Sequence, residues 1–375
     1  MMATFRPFAA GVGPGAMGVV GVIVGGVLMG GALLAADGNP TVFLTIGEAS
    51  PEVAVFAEAR FGPVVLVPEL GHDGRFFLVQ ASDPWITRPE LYRTLLDRPM
   101  YRAGRVVYPL FARGFGLLPV SWLPWTLPIA NVLALGLGTW VTARLSQRLG
   151  LSPLFGLTFL ANPGMIFAFS VSGAGIIALA FGLWGVDALY RGKWGFAAGV
   201  LSVAVLAREV MILTAIGVGA WLWRRSRLKA ITVVGVPGLV LFGWNTWVWA
   251  RLGPDGSARA SIDWPFVGLV QAADGWFRDP GADLAMGLLV IAAGIAVAVA
   301  AFRRPGYLSW GSVGFVLLAP MLSRPVWQQE FDVSRALAPV LTAAFLLCAV
   351  ALRRWGPDGD AGSTQERSLT VEDMP

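Results

Sequence analysis

Long apolar runs separated by short polar breaks make up most of the chain, and one long polar interval interrupts them near the start. Residues 16–36 run 21 positions without a charge. That exceeds the apolar core of a cleavable signal, about 7–15 residues, and predicts an uncleaved first helix. After the polar interval, apolar runs follow at 122–143, 152–169, 174–190, 194–206, 210–223, 231–250, 284–302, 306–322 and 334–352. The pattern predicts an all-α polytopic membrane protein with about ten transmembrane helices. It divides into a cytoplasmic N-terminus over 1–15, a single transmembrane domain over 16–355 and a disordered cytoplasmic tail over 356–375.

The polar interval at 37–121 is the first of three outer loops, the others being 251–283 and 323–332. Within it, Val64, Val65, Leu66 and Val67 predict a short strand. Residues 91–120 mix arginines with aromatic and aliphatic side chains. Arg102, Arg105 and Arg113 interrupt that stretch too often for a span, so it predicts one or two amphipathic helices lying apolar side down on the membrane. With that stretch outside, Arg144 and Arg148, Arg191 and Lys193, the cluster at 224–229, Arg303 and Arg304, and Arg353 and Arg354 all face the cytoplasm with Arg6. The positive-inside rule is then satisfied at every inner turn, with both termini inside. Trp122, Trp125, Trp221, Trp223, Trp244, Trp247 and Trp249 fall near span ends, as an aromatic belt does.

Composition sharpens this picture. Hydrophobic residues make up 56% and charged residues 14%, against about 25% charged in soluble domains, which points to the cytoplasmic membrane. The net charge of +5 comes from basic residues at span ends, and no nucleic-acid-binding motif accompanies it. The lone cysteine, Cys348, lies in an apolar run and rules out an intrachain disulfide or a cysteine-based metal site.

Candidate chemistry gathers on the outer side. Gly71-His72-Asp73-Gly74-Arg75-Phe76-Phe77 holds the single histidine and a carboxylate between glycines, which would let a substrate approach closely. The alternative is that Asp73 is a turn residue. Arg208 and Glu209 separate two short apolar runs and must sit near membrane depth, facing a cavity or closing a hairpin as a mutual ion pair. Asp332 can cap the start of the last span, with Arg335 on its first turn. Capping does not account for a cation there. Arg335 outside breaks the positive-inside pattern and points to an anionic ligand. A histidine-centred metal site lacks a second histidine for His72. Asp187, beside Arg191, reads as a solvated pair at an inner helix end.

These residues resemble the C-type (GT-C) glycosyltransferases, a superfamily of polytopic membrane enzymes. The stretch from Gly71 to Phe77 is similar to the Y-D-G-Q-F-Y-like signature of its bacterial members. Residues 102–110 are similar to their R-x-x-R-ϕ-ϕ-Y-P-ϕ stretch, where ϕ is apolar. Ala207-Arg208-Glu209 looks like their ϕ-x-R-E element, and 332–337 like their late D-x-x-R-x-ϕ element. Each motif is short; their shared order and side carry the likeness. The resemblance implies a polyprenyl-phosphate sugar donor, an acceptor on the outer side and inversion at the anomeric carbon. Asp73 would be the catalytic carboxylate, and Arg208, with Arg335, Arg105 or Arg102, would hold the donor phosphate. His72, Arg75, Glu209 and Asp332 would support them. Many relatives carry a second acidic residue in the next outer turn, whereas Ser170-Val171-Ser172-Gly173 has none. No cofactor is required by these motifs, and a divalent cation is left open.

The inventory suits such a transfer. A departing polyprenyl phosphate is a stable anion, so one carboxylate acting on the acceptor hydroxyl suffices. A glycosidase needs two carboxyls about 5–9.5 Å apart. Two other readings stand beside it: a transporter or lipid flippase of the envelope, and a non-catalytic envelope-assembly protein.

Overall fold

The computed structural model describes residues 12–254, 262–278 and 281–355; the tail expected over 356–375 and most of the N-terminal segment lie outside these. The chain is 77% helical with almost no sheet. Among the described residues, four helices are long and apolar enough to cross a membrane, or five if one bent pair is counted as a single span.

Helix α1 (Pro14–Ala35) opens on a proline, tolerated at a helix start because that N–H has no partner anyway. The long polar interval follows as five short helices: α2 (Pro51–Phe61), α3 (Gly74–Ser82), α4 (Pro89–Leu95), α5 (Pro99–Ala103) and α6 (Val107–Ala112). Strand β1 (Ile46–Gly47) pairs in parallel with β2 (Leu66–Val67), so the strand expected over 64–67 forms only in its second half. The expected surface helices across 91–120 do not form as such. Pro99 and Gly104 divide the stretch into short helices, and α6 is buried in the protein through Val107, Tyr108, Pro109 and Leu110. The Tyr108 hydroxyl donates to the Leu127 carbonyl at 3.0 Å and ties α6 to the next helix.

That helix is α7 (Leu123–Arg148). Its partner is α1, and glycine sets their approach. A Cβ on Gly21 would come within 2.8 Å of the Leu135 carbonyl, so bare glycine lets the two backbones meet. The run at 152–169 is not one helix. A 3₁₀ turn (Pro153–Thr158) and α8 (Pro163–Ser170) are separated at Asn162, which Pro163 forces into an extended conformation. Next come α9 (Gly175–Tyr190), α10 (Trp194–Ala207), α11 (Ile212–Trp223) and α12 (Arg227–Leu252). Asp187, on α9, is fully buried and shared by Arg144, Arg148 and Arg191, not a solvated pair as expected.

The polar interval at 251–283 contains an unexpected helix, α13 (Val267–Arg278), which buries Gly268, Ala272 and Trp276 at four-residue spacing. Helices α14 (Ala282–Arg303), α15 (Tyr307–Leu318), α16 (Arg324–Trp327), α17 (Glu330–Ala336) and α18 (Ala338–Trp355) complete the described chain. Helices α17 and α18 meet at 71°. Asp332 therefore does not cap the last span. It sits inside α17, whose N-cap is Gln329. One apolar core runs from Leu78 and Tyr108 in the long polar interval through Leu127 and Ile176 to Leu341 in α18, which fixes that interval on the bundle.

Candidate active site

The site is built from the turn that precedes α3. Gly71 has φ +72°, and a Cβ there would lie 2.2 Å from the Thr45 carbonyl. A Cβ on Gly74 would lie 2.6 Å from the Phe43 carbonyl. The two glycines thus admit the chain at 43–47, and the open approach for substrate expected from them is filled by backbone. The His72 N–H donates to the Thr45 carbonyl at 3.0 Å and locks this turn. The Asp73 carbonyl accepts from the N–H groups of Phe76 and Phe77, at 3.0 and 3.2 Å, but the Asp73 side chain caps nothing. A turn residue spends its carboxylate on local N–H groups. This one faces elsewhere.

Its partners are guanidiniums. Asp73 Oδ2 accepts from Arg335 Nη1 at 2.5 Å, and Oδ1 from Arg102 Nη1 at 3.3 Å. Arg102 lies over the Phe76 ring, 3.7 Å from its centroid, and also bonds Asp97 at 3.1 and 3.3 Å. Arg335 bonds Asp332 at 2.9 Å and rests over Phe167, which stacks on Phe331 and meets exposed His72 edge-on. Each cation is thus aimed by an aromatic face and a second carboxylate.

Glu209 and Arg208 part company. Arg105 grips Glu209 with Nε and Nη2, at 3.0 and 2.9 Å, and its guanidinium also bonds the Tyr101 hydroxyl. The mutual ion pair envisaged between Arg208 and Glu209 is therefore absent. Helix α10 ends at Arg208, whose extended backbone points the neighbouring side chains apart. Arg208 Nη1 instead donates to the Arg335 carbonyl at 2.9 Å, which bridges the end of α10 to the end of α17.

Burial by itself would raise the Asp73 carboxyl. The charges of Arg335, Arg102, Arg105 and Arg208 outweigh it and hold the group well below the usual carboxylate range. Asp73 is therefore ionised at neutral pH.

Of the residues singled out in the sequence, Asp73, Arg102, Arg105, Arg208, Arg335, Glu209 and Asp332 come together, with His72 at the rim. Arg75 does not join them: it is buried, donates to the Ser50 hydroxyl and lies over the Phe76 ring. Tyr101, Asp97 and Phe167 complete the site without having been given a role from sequence. Tyr101 adjoins Arg102 and was within reach of such a reading; Phe167 arrives only through tertiary packing. Among the described residues no three histidine, cysteine, aspartate or glutamate side chains group as a metal site would. Asp73 has both oxygens engaged by cations, and positive charge surrounds it, so the donor set does not suit a divalent ion. No family model, curated protein or solved structure matches this chain.

Proposed function

We propose that the chain is an inverting membrane glycosyltransferase of the C-type class. It would move a sugar from a polyprenyl-phosphate donor to an acceptor hydroxyl on the outer side of the cytoplasmic membrane. One observation carries the reading: a carboxylate from the first long polar loop meets Arg102 of the same loop and Arg335 from 262 residues away. Arg208 stands behind them, bonded to the Arg335 carbonyl and acting on Asp73 through its charge. Guanidiniums gathered around one carboxylate suit an anionic leaving group.

The accompanying topology is ten crossings. Four long helices, the α17–α18 pair and the four shorter apolar helices at 175–190, 194–207, 209–223 and 307–321 account for nine. The broken element from Pro153 to Ser170 is the tenth. Helix α9, with 16 residues, spans about 24 Å, less than the ~30 Å hydrocarbon thickness, but neighbouring helices bury nearly all of it.

In the reaction, the acceptor oxygen attacks the anomeric carbon from the face opposite the phosphate. The C–O bond to phosphate breaks with its electron pair leaving on the phosphate, and the hydroxyl proton passes to Asp73. Arg208, Arg335, Arg102 and Arg105 stabilise the charge that grows on the leaving oxygen. A carboxylate held by two guanidiniums is a weak base. An arriving phosphate competes for Arg335 and Arg102, and as they turn to it Asp73 regains basicity.

Broken helices favour a second reading, transport. The break at Asn162 packs against the break at Leu337, where a Cβ on Gly164 would lie 2.4 Å from the Ser334 carbonyl. Paired broken helices are common where transporters bind substrate. Purified protein with labelled polyprenyl-phosphate sugars separates the two. Transfer to an acceptor supports the enzyme; lipid or solute movement in proteoliposomes without transfer overturns it.

A further inference from the structure

A second charged site lies at the opposite end of the bundle. Asp187 on α9 is fully buried, and three arginines converge on it: Arg148 Nε at 2.6 Å, Arg191 Nε at 3.2 Å and Arg144 Nη2 at 3.4 Å. Three cations on one anion leave a formal surplus of two positive charges. One carboxylate also cannot use all their donors. Among the described residues, both Nη groups of Arg148 and the Nε and Nη1 of Arg144 have no acceptor. Arg191 Nε and Nη2 are likewise buried without a hydrogen-bond partner, as is Asp187 Oδ2. Only the Arg148 contact to Asp187 is therefore a hydrogen bond, and the other two are ion pairs. Arg144 and Arg148 are partly open to solvent, so an anion can reach the donors that Asp187 leaves unused.

These donors border an opening. A cleft of about 530 Å³ is lined by Arg144, Arg148, Gln147 and Trp140 on α7, and by Pro14 and Gly15 at the start of α1. Arg144 lies over the Trp140 ring, 4.9 Å from its centroid, which fixes its guanidinium beside the cleft. Above Gly15, at four-residue spacing, Val19, Ile23 and Val27 are each more than half exposed. Four-residue spacing puts them in one row on α1, rising from the cleft. A positive cleft continuous with an outward apolar row matches a molecule that has a phosphate at one end and hydrocarbon at the other.

We propose that this cleft binds the phosphate headgroup of an anionic phospholipid, with Arg144 and Arg148 on the phosphate and an acyl chain along Val19, Ile23 and Val27. A soluble phosphate would satisfy the guanidiniums but leave the apolar row unused. Asp187 positions the arginines; it does not touch the ligand. The proposal is independent of the transferase reading, because it involves neither Asp73 nor its partners.

Native mass spectrometry of the full chain in detergent tests it with three probes: phosphatidylglycerol, phosphatidylcholine and inorganic phosphate. Phosphatidylglycerol is expected to be retained in preference to phosphatidylcholine, and Arg148→Gln to weaken its retention about tenfold or more. Should Arg148→Gln fail to fold, Gln147→Glu gives the same reading. Gln147 is exposed and makes no ion pair, and a negative charge there should repel the headgroup. Equal retention of the two lipids, or unchanged phosphatidylglycerol binding by Gln147→Glu, overturns the proposal. Binding of inorganic phosphate as tight as that of phosphatidylglycerol overturns the lipid assignment in favour of a soluble anion.

Discussion

Asp73 and Arg335 stand 262 residues apart in sequence, and their side chains meet at 2.5 Å. The pair joins the long polar interval to α17, the short helix before α18, and Arg102 completes it from α5. In the proposed enzyme, this pairing holds the base and the phosphate-binding cations in one place before the donor arrives.

Asp73→Asn keeps the shape and removes the proton acceptor. Turnover is expected to fall by about 10²–10⁴-fold with donor binding little changed. His72→Ala should cost far less, since His72 touches the site through the Phe167 ring edge. Wild-type transfer by a correctly inserted Asp73→Asn protein would remove Asp73 from the reaction.

The same variant carries a pH signature. The folded carboxyl is depressed below its unfolded value of about 3.9 by Arg335, Arg102, Arg105 and Arg208, which outweigh burial. Its stabilisation is therefore complete above that value and is lost as pH falls below it toward the folded value. Thermal unfolding should show wild type more stable than Asp73→Asn at pH 7, with the gap narrowing in acid below about pH 4. A gap independent of pH would mean that the charge of Asp73 contributes nothing.

Arg208→Ala is expected to weaken donor use by roughly 10- to 100-fold, the equivalent of a charge-assisted bond of about 1.5–3 kcal/mol. Arg208→Lys should recover part of it, because an ammonium keeps the charge without the planar fork. If Arg208→Ala lowers the unfolding temperature while leaving donor use intact, its bond to the Arg335 carbonyl is the role that matters.

Glu209→Gln leaves Arg105 without its two-pronged partner. A loss of about 1–3 kcal/mol in stability is expected, and the double variant Arg105→Gln with Glu209→Gln should lose less than the two singles added. Additive losses in denaturant titrations would show the pair to be uncoupled.

Sides can be read directly. In a Cys348→Ser background, Glu58→Cys on α2 should react with a membrane-impermeant thiol reagent in intact cells, whereas Ser226→Cys, within the basic cluster at 224–229, should not. The reverse pattern would place Asp73 in the cytoplasm and end the donor-site proposal.

How much of this was legible in the sequence differs from residue to residue. Length of apolar run and clusters of arginine were enough to group Asp73, Arg102, Arg208 and Arg335, because hydropathy acts over whole segments. Which carboxylate takes which guanidinium was not, since Glu209 reaches Arg105 across the fold in preference to its neighbour Arg208. Asp332 looked like a cap because the 71° bend after α17 leaves no sequence mark beyond the polar residues themselves. Pro163 did leave one: a proline inside an apolar run signals a break, and a new helix starts there with Asn162 as its N-cap. The burial of Asp187 was invisible, because its three arginines gather from two helices.

The separation between Asp73 and Arg335 also sets an order in time. A chain made from its N-terminus at about 5–20 residues per second produces Arg335 roughly 13–50 s after Asp73. Arg102 follows Asp73 by 29 residues, so for most of that interval the chain contains Arg102 but not Arg335. The centre is complete only when α17 has been made, so chains that end before it are built without Arg335.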